Sequence, residues 1–171
     1  KSVHRIAREE GMSDIDAYLM LCELSDFKGR VNMGPYSTPD IISDFEHDEH
    51  CLYMTDAWVE DHGIQNPAIY DCYPKFLRDS LLGTGDTMPN TVRRMTGAIA
   101  DRFMLPERGY LKEGYFADLT VFDENMIRAG VPDRGEPFGI DKLFINGTLV
   151  LDKGRLDEEA LKTTGRAIRV L

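Results

Sequence analysis

The dipeptide Asn146-Gly147 constrains this chain more than any other feature. It lies between the apolar runs Leu143-Phe144-Ile145 and Thr148–Leu151. A two-residue turn between strands needs positive φ at both central positions, and Asn followed by Gly meets that need at least cost. The spacing therefore predicts an antiparallel hairpin. Leu119 to Phe122 is another apolar run of strand length, and Arg166 to Leu171 is expected as a last strand. Gly109 and Gly114, in Arg108-Gly-Tyr-Leu-Lys-Glu-Gly-Tyr115, mark tight turns ahead of these strands. Phe122, Phe144 and Ile145 are expected to fill a small β core.

Before Pro106 the pattern is different, with helices and short strands in alternation. Ser2 is placed to cap a helix that Gly11 ends. Ser13 caps a second helix, with Asp14 and Asp16 in the first turn, where the dipole favours acids. Ile15, Tyr18, Leu19 and Cys22 share one side of it, so it is expected to pack against another element. Val31 to Met33 reads as a short strand broken by Gly34-Pro35. Thr38-Pro39 starts a helix whose apolar residues are Ile41, Ile42 and Phe45. Further helices are expected from Pro74 to Leu82 and, capped by Asn90, to Phe103, with Val92, Met95, Ile99 and Phe103 on one stripe. Asp157-Glu158-Glu159 reads as a solvated helix start. The change of pattern divides the chain into residues 1–105 and 106–171.

Composition enters mainly through what it excludes. The chain has 171 residues, 30 acidic and 20 basic, and a net charge of −10. That surface repels nucleic acid and anionic membranes. No apolar run approaches the roughly 18–20 residues of a membrane helix. The three cysteines, Cys22, Cys51 and Cys72, form neither a disulfide framework nor a CxxC site. Free thiols point to a reducing, cytoplasmic setting. No signal peptide is visible, and the first residue is Lys1 rather than Met.

The run Cys51-Leu-Tyr-Met-Thr55 has the composition of a buried strand and ends at Asp56. A carboxylate at a strand end either carries chemistry or caps the following turn. His47 and His50, three apart, would share a helix face and could chelate a metal, but the run Phe-Glu-His-Asp-Glu-His is acidic and reads as an exposed helix end. His4 reads as a surface residue. Cys72 reads as a nearly buried, inert thiol. Lys75 and Arg78 either bind an anion or are ordinary surface charge.

Two stretches carry a family resemblance. Thr91–Asp123, which contains Arg93-Arg-Met-Thr-Gly97 and Ala117-Asp-Leu-Thr-Val-Phe-Asp123, resembles the closing part of amidohydrolase-superfamily enzymes, in particular the N-acyl-D-amino-acid deacylase (D-aminoacylase) branch. Ile145–Arg155 resembles their terminal hairpin. Leu52-Tyr-Met-Thr-Asp56 resembles their eighth barrel strand, and Tyr73-Pro-Lys-Phe-Leu77 the piece after their active-site loop. The resemblance implies an α/β fold: the C-terminal part of a metal-dependent (β/α)8 barrel followed by strands of a small β-sandwich domain. An intact barrel needs at least about 200 residues. The early His-x-His metal motif is not in this sequence, so the other ligands are expected elsewhere.

By the same resemblance, Asp56 is the catalytic carboxylate and a metal contact. The implied cofactor is Zn2+ or another divalent metal in the intact enzyme, and none is expected on this chain alone. The implied substrate is a small acylated amino acid whose amide bond is hydrolysed. A loop from Ala57 to Asp71 would overhang the site. There Trp58 either walls an acyl or side-chain group or plugs the barrel top, and His62 either positions substrate or is solvated. Deacylases of this branch carry His-Pro-Arg where this chain has Asn66-Pro67-Ala68, and Ala68 cannot grip a carboxylate as Arg does. A dihydroorotase- or hydantoinase-like ring opening is the alternative chemistry. A non-catalytic module is the alternative class. Open edges and apolar helix faces further predict self-association or pairing with the missing N-terminal part.

Overall fold

The computed structural model describes residues 1–29, 37–56, 68–130 and 139–168. The chain divides into two units, Lys1–Pro39 and Asp40–Leu171. The expected strand at Val31 to Met33 and the Gly34-Pro35 break lie outside the described residues.

The first unit is a helical hairpin of α1 (Val3–Glu10) and α2 (Asp14–Leu24). Both helices begin as their caps dictate. The Ser2 hydroxyl accepts from the Arg5 N–H, and the Ser13 hydroxyl accepts from the Asp16 N–H. Gly11 ends α1 at φ 69°, and its N–H donates to the Ala7 carbonyl. The buried residues are small, Ala7 and Ala17. The large apolar residues of α2 do not form the expected packing face. Ile15 is 71% exposed, and Tyr18 and Leu19 are exposed as well. The helices pack through their alanines, where the backbones can approach closely. His4 is exposed and pairs with Asp14 at 3.0 Å.

The second unit opens with α3 (Pro39–His47), started by its proline as expected. Its apolar residues Ile41, Ile42 and Phe45 are exposed, and Glu46 is the buried one. Cys51 to Asp56 is irregular, not a strand. A strand exists only as part of a ladder, and no described strand lies beside this segment.

The helix expected from Pro74 begins six residues earlier, as α4 (Ala68–Leu82), with Pro74 inside it. Pro74 lacks the N–H for the fourth-residue bond back to Tyr70, and its burial helps to offset that loss. The helix expected from Asn90 to Phe103 is two: α5 (Met88–Met95) and α6 (Gly97–Arg102). Pro89 sets the start one residue after Thr87. Thr96, at φ −132° and ψ −89°, breaks the run. The buried stripe is also different. Thr91, Arg94, Gly97 and Ala100 face inward, while Val92 and Phe103 are exposed.

The C-terminal part holds β1 (Leu119–Phe122), α7 (Glu124–Ala129), β2 (Ile140–Ile145), β3 (Thr148–Asp152), β4 (Arg155–Leu156) and α8 (Glu158–Thr164). The strands form one antiparallel sheet in the order β1-β2-β3-β4. The β2–β3 turn is the one its sequence demands, with φ 49° at Asn146 and 83° at Gly147. The next turn repeats the device with Lys153 and Gly154, also at positive φ. Asp157 caps α8 by accepting from the Ala160 N–H. Residues 166–168 are irregular rather than strand, and 169–171 lie outside the described residues. Phe122, Phe144 and Ile145 are only half-buried. The deepest apolar side chains are Ile127 and Val150. α7 packs on α4. There Arg78 Nε donates to the Arg128 carbonyl at 3.2 Å, and Arg128 donates back to the Leu81 carbonyl at 2.6 Å.

Gly109, at φ 80°, lies against α6. A Cβ there would meet the Ala100 Cβ at 2.6 Å. Gly147 has only the Ala117 Cβ near it, at 4.0 Å. We expect Gly147→Ala to cost only left-handed strain, about 1 kcal/mol. Gly109→Ala combines strain with overpacking and is expected to cost about 3 kcal/mol. Urea unfolding of both variants checks the difference.

Candidate functional site

The Asp56 segment is held from behind by a polar and aromatic stack. Tyr53 is buried, and its ring leans on Phe76 of α4 at 4.3 Å between centroids. The Arg94 guanidinium covers Tyr53 at 4.7 Å, and Lys75 covers Phe76 at 4.8 Å. Each ring face is electron-rich, so a cation over each ring is favourable.

Arg94 is the centre of this arrangement and only 2% exposed. Its Nε donates to the Cys51 carbonyl at 2.7 Å, and Nη2 donates to the Phe45 carbonyl at 2.8 Å. Nη1 donates to the Glu46 carbonyl and, at 3.3 Å, to Asp86 Oδ2. Phe45 and Glu46 sit in the last turn of α3, where helix carbonyls lack intrahelical partners and a cation is favoured. One side chain thus closes the end of α3 and fixes the start of the Asp56 segment. A buried guanidinium demands this many acceptors, because an unpaired charge is costly to bury.

Around it lie further pairs. The Glu46 carboxylate reaches Lys75 at 3.4 Å, and Lys75 reaches Asp79 at 2.5 Å. Burial pulls the Lys75 ammonium down, but Asp79 and Glu46 outweigh it and hold it above its usual value. Lys75 and Arg78 are therefore engaged within the fold rather than set out for an anion. Burial raises the Cys72 thiol, which suits an inert cysteine. Its Sγ donates to the Met54 carbonyl at 3.2 Å, a third hold on the segment.

Asp56 ends the segment. It is exposed and has φ 42°, in the left-handed region. Trp58, His62, Asn66 and Pro67 lie outside the described residues. Ala68 starts α4. His47 and His50 are exposed, and His50 lies past the end of α3, so the two do not share a helix face. Among the described residues no three His, Cys, Asp or Glu side chains converge as a metal site. Asp56 offers one carboxylate, and these residues do not by themselves fit a metal.

Sequence reasoning missed Arg94, Thr91 and Glu46. The available signal was the three-residue recurrence Thr91, Arg94, Gly97, Ala100. Small residues at that spacing mark a helix face under close approach, and an Arg within it is then enclosed. Gly97 shows how close the approach is, since a Cβ there would meet the Tyr110 ring at 2.6 Å.

The solved structure of a D-aminoacylase described as defining a novel subset of amidohydrolases superposes with a TM-score of 0.71 at 22% identity, covering 98% of this chain and 34% of that one. The fold is D-aminoacylase-like. A D-aminoacylase studied for its binuclear metal center gives a TM-score of 0.72 at 23% identity, again over 98% of this chain and 34% of that one. In sequence, D-aminoacylase from Alcaligenes xylosoxydans xylosoxydans is 34% identical over 90 residues, half of this chain and 18% of the relative. N-acyl-D-aspartate deacylase from the same organism is 35% identical over 80 residues, 43% of this chain and 15% of the relative. The aligned part thus spans less than a fifth of either curated relative. No family model matches. The D-aminoacylase-like fold accounts for the mixed α/β architecture and the closing antiparallel sheet.

Asp86 links the stack to solution pH. Burial pushes its carboxyl up, but the Thr87 N–H, Asn90 and Arg94 outweigh burial and hold it below its ordinary 3.8. A carboxyl lowered by folding stabilises above the unfolded value, and that contribution is lost as pH falls through the folded value. We expect Asp86→Asn to cost about 1–3 kcal/mol near neutral pH. The gap from wild type should close as pH falls below about 4. Urea unfolding across that range checks the sign.

Proposed function

We propose that this chain supplies the C-terminal part of a metal-dependent amidohydrolase that hydrolyses the amide bond of N-acyl-D-amino acids. The observation that carries this reading is identity of about a third to two enzymes named for that chemistry, D-aminoacylase and N-acyl-D-aspartate deacylase. The end-to-end fit to D-aminoacylase folds supports it. In this reading residues 1–105 belong to the last βα units of a (β/α)8 barrel, and 106–171 to a small β-sandwich domain completed by strands from elsewhere.

Asp56 is the catalytic carboxylate in this reading. It takes the proton from the attacking water and delivers it to the leaving amine nitrogen, so the carboxylate is regenerated each cycle. Its place at the end of an anchored segment suits a rim position, where barrel enzymes work. Trp58 and His62 follow on the loop and are assigned to the acyl or side-chain group. The divalent metal, zinc or another, is assigned to ligands beyond those described here, with Asp56 as one contact.

In the assembled enzyme Asp56→Asn is expected to lower turnover by at least about 100-fold while substrate binding persists. Near-normal turnover would remove the role. The 171-residue chain by itself is expected to bind no stoichiometric zinc and to show no deacylation. Metal analysis and an N-acyl-D-amino-acid hydrolysis assay check both, and bound zinc with turnover would overturn the expectation.

The partner proposed is either a second copy or the polypeptide carrying the rest of the barrel. The exposed Ile15, Tyr18, Leu19, Leu24 and Phe27 support an association face. Light scattering is expected to show concentration-dependent association of the chain alone, and a monomer throughout would count against it.

A further inference from the structure

We infer that Arg94 is the positioning residue for Asp56, acting through the backbone of residues 51–54. The inference rests on the hydrolytic role of Asp56 proposed above. Asp56 is exposed and sits at positive φ, so nothing in its own conformation fixes where its carboxylate stands. Such a residue keeps its place only when its surroundings over-determine it. The holds all lie just upstream. Arg94 grips the Cys51 carbonyl at 2.7 Å and covers the Tyr53 ring at 4.7 Å. Cys72 then meets the Met54 carbonyl at 3.2 Å.

Stability alone is a poor reason to keep a charge there. Replacing a buried ion pair by apolar residues of similar volume is often neutral or stabilising. What an apolar side chain cannot do is hold three carbonyls from two chain segments together by hydrogen bonds. The guanidinium fork does this, joining Phe45 and Glu46 of α3 to Cys51. A lysine at the same place keeps a cation near Tyr53 but loses the fork. Misplacing a catalytic group by about 1 Å can cost about 100-fold in rate, so a clamp five residues from Asp56 is close enough to matter.

The test has one arm that needs no activity. In the 171-residue chain, Arg94→Lys is expected to speed amide exchange at Tyr53 to Asp56 by at least about 10-fold, with exchange in α4 at Leu77 and in β3 at Val150 unchanged. In the assembled enzyme the same variant is expected to lower kcat by about 10–100-fold with KM within about 2-fold. Added guanidinium ion should restore part of the kcat lost in Arg94→Ala. Unchanged exchange at Tyr53 to Asp56, or unchanged kcat in Arg94→Lys, would overturn the inference. The hydrolytic role of Asp56 fails by a different result, turnover that survives Asp56→Asn, and the exchange measurement does not depend on it.

Discussion

The second unit is organised around the need to satisfy one enclosed positive charge. Arg94 carries five N–H donors into the interior, and every group that answers them is held in place by doing so. The last turn of α3, the segment toward Asp56 and the Asp86 turn before α5 meet at this side chain. The aromatic pair Tyr53–Phe76 lies beside it, with the guanidinium over the Tyr53 ring. Apolar burial in this part of the molecule is modest: among the described residues of 51–82, Tyr53 and Leu77 are the large buried side chains. Polar geometry therefore specifies the arrangement, while apolar area supplies general cohesion.

Much of the chain was legible wherever a feature is set by neighbouring residues. Ser2, Gly11, Ser13, Pro39 and Asp157 each act within one helical turn, and each does what its chemistry predicts. Asn146-Gly147 is equally local, and its turn has the required backbone. Legibility fails where the decisive partner is distant. Nothing near Arg94 in sequence reveals that its carbonyl acceptors lie 43 to 49 positions earlier. Reading the helix by its apolar residues selected Val92 and Phe103, which are exposed, over the enclosed polar face.

Other differences have separate causes. Pro74 looks like a helix start because proline is favoured there, yet a buried ring inside α4 is tolerated at the loss of one backbone bond. The Cys51–Thr55 run has strand composition, but composition cannot provide a neighbouring strand. Asp56 stood out because it ends that run. What surrounds it in three dimensions was not recoverable, since Phe76 and Cys72 of α4, which meet Tyr53 and the Met54 carbonyl, are distant in sequence. The resemblance to D-aminoacylase lies in long blocks rather than single residues, so these local differences leave it intact.

The acceptors that Arg94 uses on α3 and at Cys51 belong to the main chain. Side chains at positions 45, 46 and 51 can change over evolutionary time without removing a single one of those contacts, provided the backbone path is kept. The guanidinium and Asp86 have no such freedom, because each supplies its own atoms. Divergence among related chains should therefore be uneven here, with variable positions lying directly beside an invariant one.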